Sequence, residues 1–320
     1  MRILILGGTQ FVGRHLVTAA LERGHTVTLF HRGNRNPFPE VENILGDREH
    51  DLERLQGDWD AVVDTSGYVS RIVGLSARYL EPHVKRYCFV STVSVYQSFD
   101  PPPTEDAALN ALETDTEEIT GATYGALKVL CENIVNETFG SRALVVRPGL
   151  IVGAFDPTDR FTYWVDRVAR GGEVLMPDPQ RAAFIDGADL ARWTITALER
   201  DLSGTYNLDG VPVPLPTLLE TVRALSGSDA RFTPVSIEFL LEQQVTPWMG
   251  ADSLPLWTAG GQIGSDITRA RAAGLMHRAL TDTVRDTLRY ARGRGAAHAW
   301  RSGITPEREQ QLLEAWRARG

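Results

Sequence analysis

Apolar residues in this chain first form an unbroken run and then recur at helical spacing. Ile3, Leu4, Ile5 and Leu6 are continuous and stop at Gly7-Gly8, after which Phe11, Val12, Leu16, Ala19, Ala20 and Leu21 return every three to four residues. A short apolar run bounded by a glycine turn reads as a buried strand, and the periodic stretch as a helix. Gly24 closes that helix and Thr26 to Phe30 reads as a second strand, which completes one βαβ unit. Strand-like runs follow at 42–45, 61–63, 87–90 and 143–146, with helical stretches near 51–56, 69–80 and 123–138. This alternation predicts an α/β fold, a Rossmann-type doubly wound parallel sheet.

The texture changes after Gly149. Shorter periodic stretches carry Phe161, Tyr163, Trp164, Phe232, Phe239, Trp248 and Trp257. The expected organisation is a dinucleotide-binding domain over 1–150 and a smaller C-terminal substrate lobe over 151–320. That lobe is interleaved with returns to the main sheet, such as 204–208, and ends in helices at 281–292 and 306–317. Between 100 and 120 lies an acidic segment without a basic residue, carrying Pro101, Pro102, Pro103, Glu105, Asp106, Glu113, Asp115, Glu117 and Glu118. It reads either as a lid or binding loop or as a solvated, mobile connection.

Composition narrows the partners. A formal charge of −8 over 320 residues argues against nucleic acid and against an anionic membrane surface. No run reaches the roughly 20 apolar residues that cross a bilayer, and the N-terminal apolar run is too short for a signal peptide. Cys88 and Cys131 lack metal or redox spacing and read as buried thiols, so a cytoplasmic protein is expected. None of the histidines falls in a metal spacing, and no metal site is expected. A small-molecule substrate and a monomer or homodimer complete this picture.

The candidate chemistry sits at strand ends. Gly7-Gly8-Thr9-Gln10-Phe11-Val12-Gly13 follows the first strand and opens the first helix, where backbone N–H groups hold a pyrophosphate. Gly7 and Gly13 have the outer spacing of a dinucleotide fingerprint, with Gln10 where its middle glycine usually stands. The second strand ends at His31-Arg32 without the acid that would bind a ribose 2′-hydroxyl. Arg32, with His31 and Arg35, would instead hold a 2′-phosphate, which favours NADP(H) over NAD(H). After the third strand Asp47 is placed for an adenine amino group beside Arg48, and Asp64 and Ser66 follow the fourth. Each of these reads equally as a turn or a helix cap. Ser91 and Thr92 end the next strand on the same edge.

Only two of the 33 basic residues are lysines, Lys85 and Lys128. Tyr124 lies four residues before Lys128, so on a helix the phenol and the ammonium share a face. A compact, titratable amine has been kept where arginine cannot substitute.

Taken together, the glycine loop, Ser91-Thr92 with Val95-Tyr96, Tyr124-x-x-x-Lys128, Arg147-Pro148-Gly149 and Phe184-Ile185-Asp186-Gly187-Ala188-Asp189-Leu190 resemble, in order and approximate spacing, the extended short-chain dehydrogenase/reductases, the NAD-dependent epimerase/dehydratases. The resemblance covers residue 1 to about 292 and implies roles. Tyr124 would be the acid/base, its phenol lowered toward neutrality by Lys128; Lys128 would also bond the nicotinamide ribose. Thr92 would orient the substrate oxygen, and the Arg147-Pro148 backbone would flank the nicotinamide. The implied activity is NAD(P)-dependent hydride transfer between nicotinamide and a carbonyl or alcohol of a small substrate. The aromatic residues of the smaller lobe read mostly as core, with Tyr163, Trp164, Trp248 and Trp257 as candidates for an aromatic wall against a cyclic or aromatic substrate. Val93-Ser94 replaces the Asp-Glu of the family's dehydratases, and Ala182-Ala183 replaces the Arg-Asp found in many members that bind a sugar diphosphate. An NAD-retaining sugar epimerase is the second reading. A non-catalytic dinucleotide-sensing or RNA-binding module is the third, since chloroplast stem-loop RNA-binding proteins share a similar glycine loop.

Overall fold

The computed structural model describes residues 1–178, 181–258, 264–295 and 298–319. It divides into two compact units. The first comprises Met1–Leu150, Gly187–Gly210 and Ser265–Met276, and the second Ile151–Asp186, Val211–Gly264 and His277–Gly320.

The first unit is built on a seven-stranded parallel sheet. Its strands in chain order are β1 (Arg2–Leu6), β2 (Thr26–His31), β3 (Glu42–Leu45), β4 (Trp59–Asp64), β5 (Val84–Val90), β6 (Ala143–Pro148) and Gly204–Leu208. From one edge the spatial order is Gly204–Leu208, β6, β5, β4, β1, β2, β3. Strand order reverses between β1 and β4, which makes the carboxyl edge there the ligand-collecting switch point of such a sheet. Leu6 is in register with both Phe30 and Asp64, so the ends of β1, β2 and β4 lie level at this edge.

Strands covered on both faces must be apolar throughout, and Ile3 to Leu6 are all buried. Helices α2 (Ser70–Leu80) and α3 (Tyr124–Phe139) supply Val73, Ala77, Cys131, Val135 and Phe139 to a core shared with Leu4, Val62, Tyr87 and Phe89. Helix α1 (Phe11–Glu22) packs on the helix Gly187–Glu199. The expected helix at 51–56 is only a 3-10 turn, Leu52–Arg54. So few residues between Gly46 and Gly57 give too little propagation to offset helix nucleation.

In the second unit the helices Arg160–Ala169, Leu215–Ser226 and Leu280–Gly293 pack on one another, and the strands Glu173–Pro177 and Arg231–Val235 pair in parallel. Thr305 caps the helix Pro306–Arg317 by accepting from Arg308 N–H at 3.2 Å. Glu309 on that helix forms a buried pair with Arg167 at 2.5 Å. Among the described residues no helix is long and apolar enough to cross a membrane.

Candidate active site

Gly7 and Gly8 both take left-handed backbone, and Gly13 in the first turn of α1 rests directly on Gly8. A Cβ at Gly13 would stand 2.5 Å from the Gly8 Cα, a backbone atom that cannot step aside, so loop and helix interlock only as glycines. Gln10 caps α1 with extended backbone and an exposed side chain, and Thr9 beside it is half-buried. The first intrahelical bond runs from Arg14 N–H to the Gln10 carbonyl at 3.2 Å. The N–H groups of Phe11, Val12 and Gly13 precede the ladder and present a positive helix start.

Lys128 is 3% exposed, and its Nζ donates to the carbonyls of Gly67 and Val90, both at 2.7 Å. The ammonium also lies 4.1 Å from the Phe89 ring centroid and 5.5 Å from that of Tyr68. Burial pulls its pKa down to about 8, against the opposing pull of Cys131, Asp64 and Glu132. Tyr124 opens α3 half-buried, one helical turn earlier on the same face, with the 46% exposed Tyr68 ring 6.4 Å from its own.

Thr92 ends the β5 edge and caps the turn Val93–Val95. Its Oγ1 accepts from Ser94 N–H at 3.1 Å and lies 3.2 Å from Ser94 Oγ, so its own turn fixes the hydroxyl. Gly125 brings this turn to Tyr124. A Cβ on residue 125 would fall 2.0 Å from the Ser94 carbonyl oxygen, so only glycine lets α3 close on the Thr92 turn. The first variable position of Tyr-x-x-x-Lys is therefore set by packing.

Beneath these groups lies a polar network that the sequence reading missed. Glu132, one turn beyond Lys128 and 2% exposed, accepts from Arg147 Nε at 3.0 Å, from Arg147 Nη2 at 2.6 Å and from Ser91 Oγ. Arg147 Nη1 in turn donates to Tyr96 Oη at 2.9 Å and to the Glu105 carbonyl at 3.0 Å, and Tyr96 donates to Asn207 Oδ1 at 2.6 Å. Ser91, expected at the cofactor, thus turns its hydroxyl into the protein, and the Arg147 side chain is committed while its backbone and Pro148 stay at the β6 end. A carboxylate eight residues after Tyr124 in an otherwise apolar run was the available signal. The acidic segment is also tied down in part. Glu105 is buried and accepts from Asn207 N–H at 2.9 Å, while Glu117 receives Arg71, which also holds Glu49.

At the β2–β4 end the expectations for His31, Arg48, Asp64 and Ser66 change. Gly33 N–H donates to His31 Nδ1 at 3.1 Å. Asn43 gives both amide hydrogens to the Phe38 and Val41 carbonyls, so its Oδ1 accepts from His31 Nε2 at 2.8 Å. Both ring nitrogens are engaged within the protein, which leaves His31 no donor for a phosphate. Arg48 and Asp64 close on each other with bonds of 2.9 and 2.7 Å. Asp64, fully buried, also accepts from Tyr87 Oη at 2.9 Å and Ser66 N–H at 3.0 Å. Although burial raises the Asp64 pKa, Arg48 and these donors leave it below the usual carboxylate range. Asp64, Arg48 and Ser66 therefore brace the edge from within. Arg32 and Arg35 remain exposed, and Asp47 is half-buried with Oδ1 accepting from Glu49 N–H at 2.9 Å.

The expected aromatic wall is mostly core. Tyr163, Trp164 and Trp257 are buried, with Trp164 Nε1 donating to the Pro255 carbonyl at 2.7 Å, and Trp248 lies under the Arg160 guanidinium.

Comparisons with known proteins agree with this architecture. The sequence model of the NAD dependent epimerase/dehydratase family matches residues 3–71 and 40–209. One curated relative, the chloroplast stem-loop binding protein of 41 kDa b from Arabidopsis thaliana, is 30% identical over 121 residues, a match that spans 31% of each chain. Among solved structures, UDP-glucuronic acid 4-epimerase from Bacillus cereus in complex with NAD superposes with a TM-score of 0.68 at 17% identity, covering 92% of this chain and 99% of that one. A UDP-glucose 4-epimerase gives 0.72 at 15% identity, covering 93% and 100%. UDP-N-acetylglucosamine 4-epimerase from Methanobrevibacter ruminantium M1 gives 0.70 at 16%, covering 92% and 99%. At such identities the structures establish the shared fold, while the family match extends over well more than half of the sequence. The chain belongs to the NAD dependent epimerase/dehydratase family.

Proposed function

We propose that this protein transfers hydride reversibly at a carbinol carbon of a small substrate, with Tyr124 as the proton-transfer group. The supporting observation is the grouping of Tyr124, Lys128 and the Thr92 turn, held together by the glycine contact at residue 125. The residues fit a dinucleotide. A Cβ at Gly7, Gly8 or Gly13 would strike Thr65, Leu29 or the Gly8 backbone, so glycines keep the loop in a shape that leads straight into the α1 start, whose first-turn N–H groups suit a pyrophosphate. Arg32 and Asp47 are the groups left to bind the adenosine half. Lys128 and the Arg147-Pro148 backbone would hold the nicotinamide half. When bound, the dinucleotide supplies or receives the hydride. Thr92 orients the substrate oxygen, Tyr124 moves its proton, and the Lys128 charge favours the phenolate during that transfer.

NAD(H) is consistent with the family and with the bound NAD of the Bacillus cereus relative. A preference for NADP(H) rests on Arg32 with Arg35, since His31 is engaged within the protein. A nucleotide-sugar epimerase that retains its NAD is the second reading, favoured by the named activities of the solved relatives. Cofactor that copurifies and survives dialysis supports the epimerase, whereas freely exchanging NADPH or NADH consumed with a carbonyl supports the reductase. Turnover that persists undiminished in Tyr124→Phe on an identified substrate refutes both. The −8 net charge gives an RNA-binding reading no electrostatic support.

A further inference from the structure

We infer that Glu132 is a positioning residue, whose buried pair with Arg147 anchors the β5 edge to α3 and so leaves Lys128 free to turn toward the cofactor. The inference rests on the hydride-transfer reading above. Tyr124, Lys128 and Glu132 follow one another at single-turn spacing along one face of α3, and the last two grip consecutive residues of β5 and its edge. Lys128 Nζ holds the Val90 carbonyl at 2.7 Å, and Glu132 receives the Ser91 hydroxyl. Ser91 is also fixed from the other side by its N–H to the Val146 carbonyl at 2.7 Å. Thr92, the next residue, inherits its place from these bonds.

An ammonium has three donors, and two of those on Lys128 are engaged by the Gly67 and Val90 carbonyls. Turning toward a ribose hydroxyl and the Tyr124 phenol draws on these same donors. If Lys128 alone held β5 to α3, recruiting it would loosen the Thr92 turn as the substrate oxygen arrived. Glu132 removes that conflict. Its carboxylate is fixed by Arg147, and Arg147 is fixed by Tyr96 and the Glu105 carbonyl, so the anchor stands on hydrogen bonds in which Lys128 takes no part. A supporting shell of this kind keeps reacting groups in place while one of them moves.

Because Lys85 and Lys128 are the only lysines in the sequence, protein labelled with ¹³C-lysine shows each amine as a separate Cε resonance. In the parent, NAD⁺ should shift the Lys128 resonance and leave that of the exposed Lys85 in place. Glu132→Gln leaves Arg147 buried without its counter-charge and is expected to lose stability. The double variant Glu132→Gln/Arg147→Met removes both charges and should recover the melting temperature. In the double variant the Lys128 response to NAD⁺ should be lost, and NAD⁺ affinity should fall by about tenfold, the scale of one lost hydrogen bond from a charged group. A merely structural role would restore the response together with the melting temperature. A double variant with parental stability, an intact Lys128 shift and affinity within about twofold overturns the positioning role. If the double variant does not fold, the same readings on whatever fraction of Glu132→Gln is folded decide the question, an intact shift counting against the inference. No Lys128 shift in the parent with either NAD⁺ or NADP⁺, once any copurified dinucleotide has been removed, overturns the hydride-transfer reading instead, so the two failures are distinguishable.

Discussion

Two buried ion pairs flank the site, and a third buried cation stands between them on different terms. Arg48–Asp64 at the β4 end and Arg147–Glu132 at the β6 end are each bidentate, with further donors on the carboxylate. Lys128 bonds instead to the neutral carbonyls of Gly67 and Val90. A buried charge matched by a carboxylate is held in place and keeps its charge, whereas one matched only by dipoles stays titratable and available to a ligand. The paired arginines are therefore structure, and the amine is the cation left for the proposed chemistry.

The largest expected effect tests the chemistry. Tyr124→Phe should lower kcat by about a hundred- to ten-thousand-fold while dinucleotide affinity, read by titration, stays close to parental. Next comes the closed pair. Asp64→Asn leaves Arg48 buried without its counter-charge and should cost about 3–5 kcal/mol in denaturant unfolding, with a loss of activity no greater than the loss of folded protein. A specific collapse of activity in fully folded Asp64→Asn would break the distinction between pair and amine.

Asp64 and Lys128 both make stability rise with pH, but in separate windows and for opposite reasons, one a favoured charge and the other a penalised one. Asp64 has a lowered folded pKa, so its stabilisation is present above the ordinary carboxylate value and is lost as pH falls through the lower folded one. Lys128 is depressed to about 8, so the folded state binds its proton more weakly than the unfolded chain does. Its burial penalty is present below that value and is relieved as pH rises from there toward the ordinary lysine range. Over that alkaline window the loss of the Lys128 proton should raise stability while kcat/KM declines, because the neutral amine no longer favours the phenolate. Melting temperature and a pH–rate profile measure the two limbs, and limbs that move in parallel would remove the special status of the amine. The smallest effect is expected at the exposed edge. Arg32→Ala should reduce the NADP(H)-to-NAD(H) affinity ratio by about tenfold, roughly 1.4 kcal/mol, and an unchanged ratio would leave NAD(H) without a rival.

The local features were readable from the chain because they depend on neighbours in sequence. The run from Ile3 to Leu6, the glycines around Thr9 and the four-residue spacing of Tyr124 and Lys128 state a strand, a turn and a helix face by periodicity and backbone chemistry alone. What the chain could not state was which charges meet. Asp64 and Arg48, or Ser91 and Glu132, look like open ligand groups or ordinary helix residues until folding brings β3, β4, β5, β6 and α3 together. Burial then decides which polar groups must satisfy one another inside the protein and which remain for a ligand. Periodicity placed Tyr124 beside Lys128, and only the tertiary packing of Gly125 on the Ser94 carbonyl placed both beside Thr92.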